Sequence, residues 1–427
     1  MYIHLGRNFT NFSEIMSDKP VNVGVSGWMP TIFMMMAFRG IMGGVTSFTE
    51  QDKPTMKPET LAIHAGYDID PTTGALTPPI HLSTTFERDP DGGFARGHVY
   101  TRDTNPNRDE LETRLAQLEG GAVAIAFSSG MATFMSLIQS LHTGAHVIAP
   151  NDMYFGVQRL LREVFGDWGL EVTFVTASDT RQIEAAIRPN TKLILIETPS
   201  NPMMNLTDIR AVADIAHANG ALLVCDSTIA TPIFQHPLEL GADAVIHATT
   251  KYLGGHSDVL GGAIILNDPS HPLMSRLQMV QKIGGAVPAP FDCWMIMRGM
   301  YTLPHRMNIV NENAFKIAHA LKNHPKIERV LHLGMDDHPH HTLARQQMTG
   351  YGGLFSFLVR GSADDAIGMT NRLRLIKRAT SFGGVHTTIE HRASIEVGTS
   401  TPQNLLRISV GLEHPDDIWD DLAGALG

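Results

Sequence analysis

The sequence is poor in cysteine, in charge and in long apolar runs, and each shortage closes off a class of protein. Only Cys225 and Cys293 occur, one inside an apolar run and the other far along the chain. That is too few for a disulfide framework or a cysteine zinc site, and it fits a reducing cytoplasm. Charged residues make up 18% of the chain and the net charge is −10. With no basic patch interleaved with aromatics, neither a nucleic-acid partner nor an anionic membrane surface is expected. The apolar stretch at 28–38 is about half a membrane span, and the chain has neither the basic start nor the small-residue cleavage site of a secretory signal. The strand expected at 122–127 is followed by neither G-x-G-x-x-G nor G-x-x-x-x-G-K-[ST], which removes support from dinucleotide and nucleoside-triphosphate binding.

What is present describes a globular chain. Apolar residues make up 43% of 427, enough for two domains. Residues 1–57 share no period with the rest of the chain and read as a poorly ordered extension or as a start placed too early, with Met56 the natural start. Residues 58–110 read as an extended arm, punctuated by Pro71, Pro78, Pro79 and Pro90. The arm carries Tyr100 and Arg102, which project to one side of an extended segment. A large α/β domain is expected over 111–300 and a smaller one over 301–427. In the first, apolar runs at 122–127, 146–149, 171–175, 192–196, 221–225 and 244–247 alternate with helical patterns, such as the face formed by Leu111, Leu115 and Leu118. Such alternation predicts a βαβ series with a mostly parallel sheet.

Chemistry gathers at one edge of that sheet. Asp226 closes the run at 221–225, and Thr249, Thr250 and Lys251 follow the run at 244–247. Ligands of open α/β sheets bind at that edge. A lysine just past a buried strand must stay solvated, be paired or lose its charge, and a neutral amine can form a Schiff base. Alone, Asp226 and Lys251 would read as an ordinary salt-bridged pair. Around them, Ser128-Ser129-Gly130-Met131 offers free N–H groups at a helix N-terminus, a cradle for phosphate. Tyr154 and Asn201 follow two further strands at the same edge, and Arg407 sits inside an apolar strand where it needs an anion such as a substrate carboxylate. The run Asp336-Asp337-His338-Pro339-His340-His341 has no i, i+4 histidine pair and reads as a polar loop opening a helix, not a metal site.

Together these groups answer the needs of one cofactor. Pyridoxal phosphate requires a lysine, an acid that keeps its ring nitrogen protonated, an aromatic face, and N–H, hydroxyl and cationic groups for its phosphate. Lys251, Asp226, Tyr154, the Gly130-Met131 turn, Thr250 and Arg102 supply them. Five motifs occur in order: Y-x-R-x-x-N-P from Tyr100, S-G-M from Ser129, E-T-P-S-N-P from Glu197, T-K-Y-x-G-G-H-S-D from Thr250 and R-x-S-x-G-x-E from Arg407. In these the chain resembles the Cys/Met-metabolism pyridoxal-phosphate enzymes: cystathionine γ-synthases, γ-lyases and β-lyases, methionine γ-lyases and sulfhydrylases.

The resemblance implies an α/β fold of the PLP-dependent transferase type I class, aspartate aminotransferase-like, with a smaller C-terminal α/β domain. It implies that Lys251 forms the Schiff base and moves protons among the substrate α, β and γ positions. Asp226 would pair with the ring nitrogen, and Tyr154 would stack on the ring and help deprotonate the incoming amine. Gly130, Met131 and Thr250 would hold the phosphate, with Thr228 completing the cofactor set. Asn201 would contact the cofactor 3′-oxygen and the substrate, Arg407 the α-carboxylate, and Thr387 would join the substrate set. Tyr100 and Arg102 would reach the phosphate of a neighbouring subunit, making a homodimer at least and a homotetramer as the usual form. The implied activity is γ-elimination or γ-replacement on cystathionine or an O-acylhomoserine, with cystathionine β-lyase or O-acylhomoserine sulfhydrylase as alternatives. A catalytically silent scaffold is the non-enzyme reading, against which intact Lys251, Asp226 and Arg407 speak.

The chain departs from the family pattern at four places. Ser227 stands where asparagine is common. Ala248 stands where a serine hydroxyl is usual, which removes a phosphate hydrogen bond worth about 1 kcal/mol unless Thr249 replaces it. Val385-His386-Thr387 stands where the family has a glutamate before serine, and Gly156 where methionine γ-lyases carry cysteine.

Overall fold

Two sheets carry the chain. The computed structural model describes residues 56–66, 69–396 and 398–427, so the reading of residues 1–57 lies outside them except for its last two positions. Seven strands, β1 (Val123–Phe127), β2 (His146–Pro150), β3 (Glu171–Val175), β4 (Thr191–Glu197), β5 (Leu222–Asp226), β6 (Ala244–His247) and β7 (Gly262–Leu266), form one sheet in the order β1-β7-β6-β5-β4-β2-β3. Strands β2 to β6 pair in parallel, as the alternation with helices predicts, and their near-continuous burial is that of a sheet covered on both faces. β3 is partly exposed because it is an edge strand.

β7 runs antiparallel to both β6 and β1 and was not among the expected strands. Its run Gly262-Ala263-Ile264-Ile265-Leu266 is fully buried. The link from β6 contains no helix, and a chain that turns back without a crossover pairs antiparallel. A further expectation is corrected. Pro58–His64 is a helix, not extended, because a proline in the first turn is compatible with helical φ. The long helix Leu303–Lys322 likewise carries Pro304 in its first turn.

The second sheet contains β8 (Ile327–Leu331), β9 (Leu354–Val359), β10 (Lys377–Arg378), β11 (Thr388–His391) and β12 (Leu405–Ser409), in the order β10-β11-β12-β9-β8. Helices Leu303–Lys322, Ala363–Arg372 and Pro415–Leu426 cover one face, with Ala314, Ile317, Phe355, Phe357, Ile408 and Leu422 in a shared core. A separate cluster joins the two sheets: Met204, Leu206 and Ile229 from the carboxyl edge of the first pack against Leu331, Leu354 and Leu405 of the second. That contact brings β12 in front of the first sheet's ligand edge.

One buried titratable group lies far from this edge. His332 accepts the Gly334 N–H at 3.0 Å, its other ring nitrogen has no partner among the described residues, and Phe315, Tyr351 and Phe355 surround it. Burial, reinforced by His338 and His319, pushes its pKa down to about 3.

Candidate active site

The carboxyl edge of the first sheet and β12 enclose a cavity of about 270 Å³. Nine of the expected site residues line it: Gly130, Met131, Tyr154, Asn201, Asp226, Thr228, Thr250, Lys251 and Arg407. The cavity floor is the end of β5. Asp226 is buried and opposite Glu197 in the sheet register. Both Thr228 bonds, from the backbone N–H at 2.9 Å and the hydroxyl at 2.5 Å, fall on Asp226 Oδ1. Among the described residues Oδ2 takes no hydrogen bond, so it is available to a ligand N–H. Burial raises the Asp226 pKa, while the Thr228 bonds, His247 and Lys251 oppose that shift.

Lys251 enters from the side. Its Nζ donates to Ser381 Oγ at 2.6 Å and lies 4.8 Å from the Phe382 ring centre. Burial, then the charges of Arg407 and Arg392, lower its pKa to about 8, with Glu390 and Asp226 pulling the other way. About a tenth of the amine is therefore neutral at pH 7, the form that a nucleophile or proton acceptor must take.

At the opposite end lies the turn into helix Gly130–Gln139. The Ser129 hydroxyl caps that helix by accepting the Ala132 N–H at 3.1 Å, which leaves the Gly130 and Met131 N–H groups without intrahelical acceptors. Glycine is required at 130, since a Cβ there would meet the Ala248 Cβ at 2.8 Å. Thr250 lines the same corner, its hydroxyl donating to the Gly261 carbonyl at 3.1 Å. The Thr249 hydroxyl is buried without a partner among the described residues and points at Gly261, away from the cavity, so it does not replace the hydroxyl missing at Ala248.

The far wall belongs to β12. Arg407 donates through Nη1 to Asn201 Oδ1 at 2.9 Å, and through Nη2 to the Ser381 carbonyl at 2.9 Å and to Glu390 Oε2 at 2.7 Å. Its pKa is lowered to about 10, by burial first and then by Arg392. Tyr154 and Asn201 are tied together from behind: Glu197 accepts the Tyr154 N–H at 2.7 Å and the Asn201 N–H at 3.0 Å, one on each oxygen. Burial and the neighbouring Asp226 charge hold the Glu197 pKa well above the usual carboxylate range.

The profile of the family described as Cys/Met metabolism PLP-dependent enzyme matches residues 59–427. The chain belongs to that family. It is 44% identical over 377 residues to the cystathionine gamma-synthase of Mycobacterium bovis, covering 87% of this chain and 97% of the relative. It is 42% identical over 382 residues to the cystathionine gamma-lyase of Bacillus subtilis, covering 87% and 99%. The crystal structure of metB from Corynebacterium glutamicum matches with a TM-score of 0.85 at 41% identity, covering 87% of this chain and 98% of that one. The protein is thus a pyridoxal-phosphate-dependent enzyme of fold type I. Its cavity fits that cofactor: a free Asp226 oxygen at the floor, a helix N-terminus opened by Gly130 at one end, and a partly neutral lysine between them.

Three of the expected site residues in this PLP-dependent chain lie outside the cavity lining. Tyr100 is exposed, and Arg102 donates to the Lys282 carbonyl at 2.8 Å with its guanidinium 5.7 Å from the Tyr100 ring centre. Thr387 is buried in a structural knot, its hydroxyl donating to Glu413 Oε2 at 2.7 Å and accepting the Gly411 N–H at 2.9 Å. His386 is exposed and also absent from the lining. Ser227 faces Gln235, whose amide donates to its hydroxyl at 3.1 Å, so this departure does not touch the cavity. Gly156 leaves space for Tyr154, because a Cβ there would come within 2.7 Å of the ring.

Sequence reasoning gave no role to Glu197, Ser381, Phe382, Glu390 or Arg392. Glu197 opens the E-T-P-S-N-P motif, whereas Arg392, between His391 and Ala393, lacks the apolar flanks that single out Arg407. Ser381 has no local signal; its φ of 80° places it in the left-handed region, where a serine is uncommon.

Proposed function

We propose that this protein is a trans-sulfuration enzyme that performs γ-elimination or γ-replacement on cystathionine or an O-acylhomoserine. The observation that carries the reading is the meeting of Lys251, Asp226 and Arg407 in one cavity: a proton carrier, a ring-nitrogen partner and a carboxylate anchor. Relatives named cystathionine gamma-synthase and cystathionine gamma-lyase, at 44% and 42% identity, support the γ-chemistry. Bound pyridoxal phosphate supplies the electron sink that makes the substrate α-proton acidic.

The residues divide the remaining work. Arg407 and Asn201 take the α-carboxylate and fix the amino acid's head. Tyr154 covers the cofactor face and accepts a proton from the incoming amine at its phenolic oxygen. Lys251 Nζ removes the α-proton and redelivers it toward the β and γ positions. Asp226 holds a proton at the ring nitrogen, and the Gly130 and Met131 N–H groups with Thr250 hold the phosphate.

We further infer a homodimer at least, and a homotetramer as the working form, in which Tyr100 and Arg102 serve the neighbouring subunit's phosphate. The exposure of Tyr100 and its absence from the lining of its own cavity support that reading. Light scattering gives the assembly size. Mixed oligomers of Lys251→Ala and Arg102→Ala chains should regain activity that neither has alone.

Product analysis tests the chemistry. Release of 2-oxobutyrate and cysteine from cystathionine marks γ-elimination, whereas pyruvate and homocysteine mark the β-lyase alternative. Sulfide consumption with O-acylhomoserine marks the sulfhydrylase. Saturated holoenzyme should show a visible absorption band that Lys251→Ala abolishes; a band that survives that substitution sinks the assignment of Lys251.

A further inference from the structure

The carboxylate anchor already carries a carboxylate. Glu390 and Arg407 are register partners across β11 and β12. Glu390 Oε2 accepts from Arg407 Nη2 at 2.7 Å and from Arg392 Nη1 at 2.6 Å. Arg392 is held from its other side by Glu396 Oε1, through Nε at 3.1 Å and through Nη2, while Glu396 Oε2 accepts the Thr401 hydroxyl at 2.7 Å. Both arginines line the cavity, and all four charged side chains are buried.

Counting hydrogens gives the consequence. A guanidinium has five N–H groups, two of them on each Nη. Arg407 commits both hydrogens of Nη2, to the Ser381 carbonyl and to Glu390. A carboxylate gripped bidentately, whether end-on or side-on, needs at least one of them. Of the two present acceptors, Glu390 is the one whose charge opposes an arriving carboxylate, and it has a second cation to hold it.

We propose that Glu390 is a resident carboxylate on the substrate anchor, and that Arg392 is the positioning residue that retains it when a substrate carboxylate takes over Arg407 Nη2. The exchange conserves the ion pairs: Arg407 passes from Glu390 to substrate, and Glu390 stays paired with Arg392. No buried charge is left without a partner at any stage, which matters because stranding one is costly. The inference rests on Arg407 binding the substrate carboxylate.

The test uses holoenzyme and propionate, a carboxylate that has no amine and undergoes no reaction, with propionamide as the neutral control and calorimetry as the readout. Glu390→Gln keeps shape and leaves Arg392 paired with Glu396. It should tighten propionate by about fivefold and leave propionamide unchanged, because a neutral competitor yields Nη2 more readily. Arg392→Lys keeps the charge but loses the fork that bridges Glu390 and Glu396. It should weaken propionate by about fivefold, and adding Glu390→Gln should restore the wild-type value. Thermal melts confirm that each variant folds. Weaker or unchanged propionate binding in Glu390→Gln overturns the exchange and leaves Glu390 as a structural brace. Absence of propionate binding in wild type and variants overturns the placement of a carboxylate on Arg407. Failure to turn over cystathionine while the propionate pattern holds removes only the substrate assignment.

Discussion

The two ends of the cavity are built differently. At the cofactor end, chemistry sits where strands stop: β5 delivers Asp226, the chain past β6 delivers Lys251, and the turn after β1 delivers Gly130 and Met131. Asp226 is held by Thr228 two residues on, and only Lys251, through Ser381, reaches across to the far wall. At the carboxylate end, Arg407 lies within β12 and is defined by its neighbours across the sheet and beyond: Glu390, Ser381 and Asn201. The first end can be altered one residue at a time. The second acts as a charge network, where one change redistributes all the pairs.

The sharpest way to break that contrast is at Arg407. Arg407→Lys keeps the charge but abandons three directed bonds and leaves Glu390 and Asn201 short of a donor; kcat/KM should fall by about 100-fold, read in steady-state kinetics. A loss below about threefold would mean that charge alone suffices and that the network reading is wrong. At the other end the effect should be set by pH. Lys251 has its pKa lowered to about 8, so the apoprotein should reload cofactor at a rate that rises about tenfold per pH unit below that value and levels off above it. Stopped-flow absorbance across pH 6 to 9 checks the profile, and a rate independent of pH contradicts the lowered value.

Ala248→Ser supplies the absent hydroxyl beside the Gly130 turn and should tighten pyridoxal phosphate by about fivefold, the equivalent of one hydrogen bond of about 1 kcal/mol. Equilibrium dialysis measures it, and no change would mean that other donors already saturate the phosphate. The smallest effect lies outside both ends. The folded pKa of His332, about 3, lies below the unfolded value of roughly 6.5. The stability contribution is therefore complete above the unfolded value and is lost as pH falls toward the folded one. The melting temperature should drop by about 1–3 °C per pH unit below 6, and His332→Phe should flatten that slope.

The same contrast explains what the sequence could disclose. Groups at strand ends follow apolar runs and sit in short motifs, so Asp226, Lys251, Gly130 and Asn201 were legible. The parallel core was legible because its strands are buried on both faces and alternate with helices. β7 was not, since nothing local encodes an antiparallel partner. The partners of Arg407 come from positions 201, 381 and 390, and only the register of β11 on β12 makes Glu390 one of them. Thr387 lies outside the cavity lining for a related reason: its hydroxyl is claimed by Glu413, a partner twenty-six residues away.

Glu197 gives the cavity a fixed gauge length. One carboxylate grips the backbone of Tyr154, the proposed cover of the ring, and that of Asn201, whose side chain bonds Arg407, the proposed carboxylate anchor. The spacing between the two is set behind the cavity wall by a single rigid side chain instead of by the bound molecule. On the proposed reading, amino-acid substrates would then be registered by the head in the same way whatever their tail.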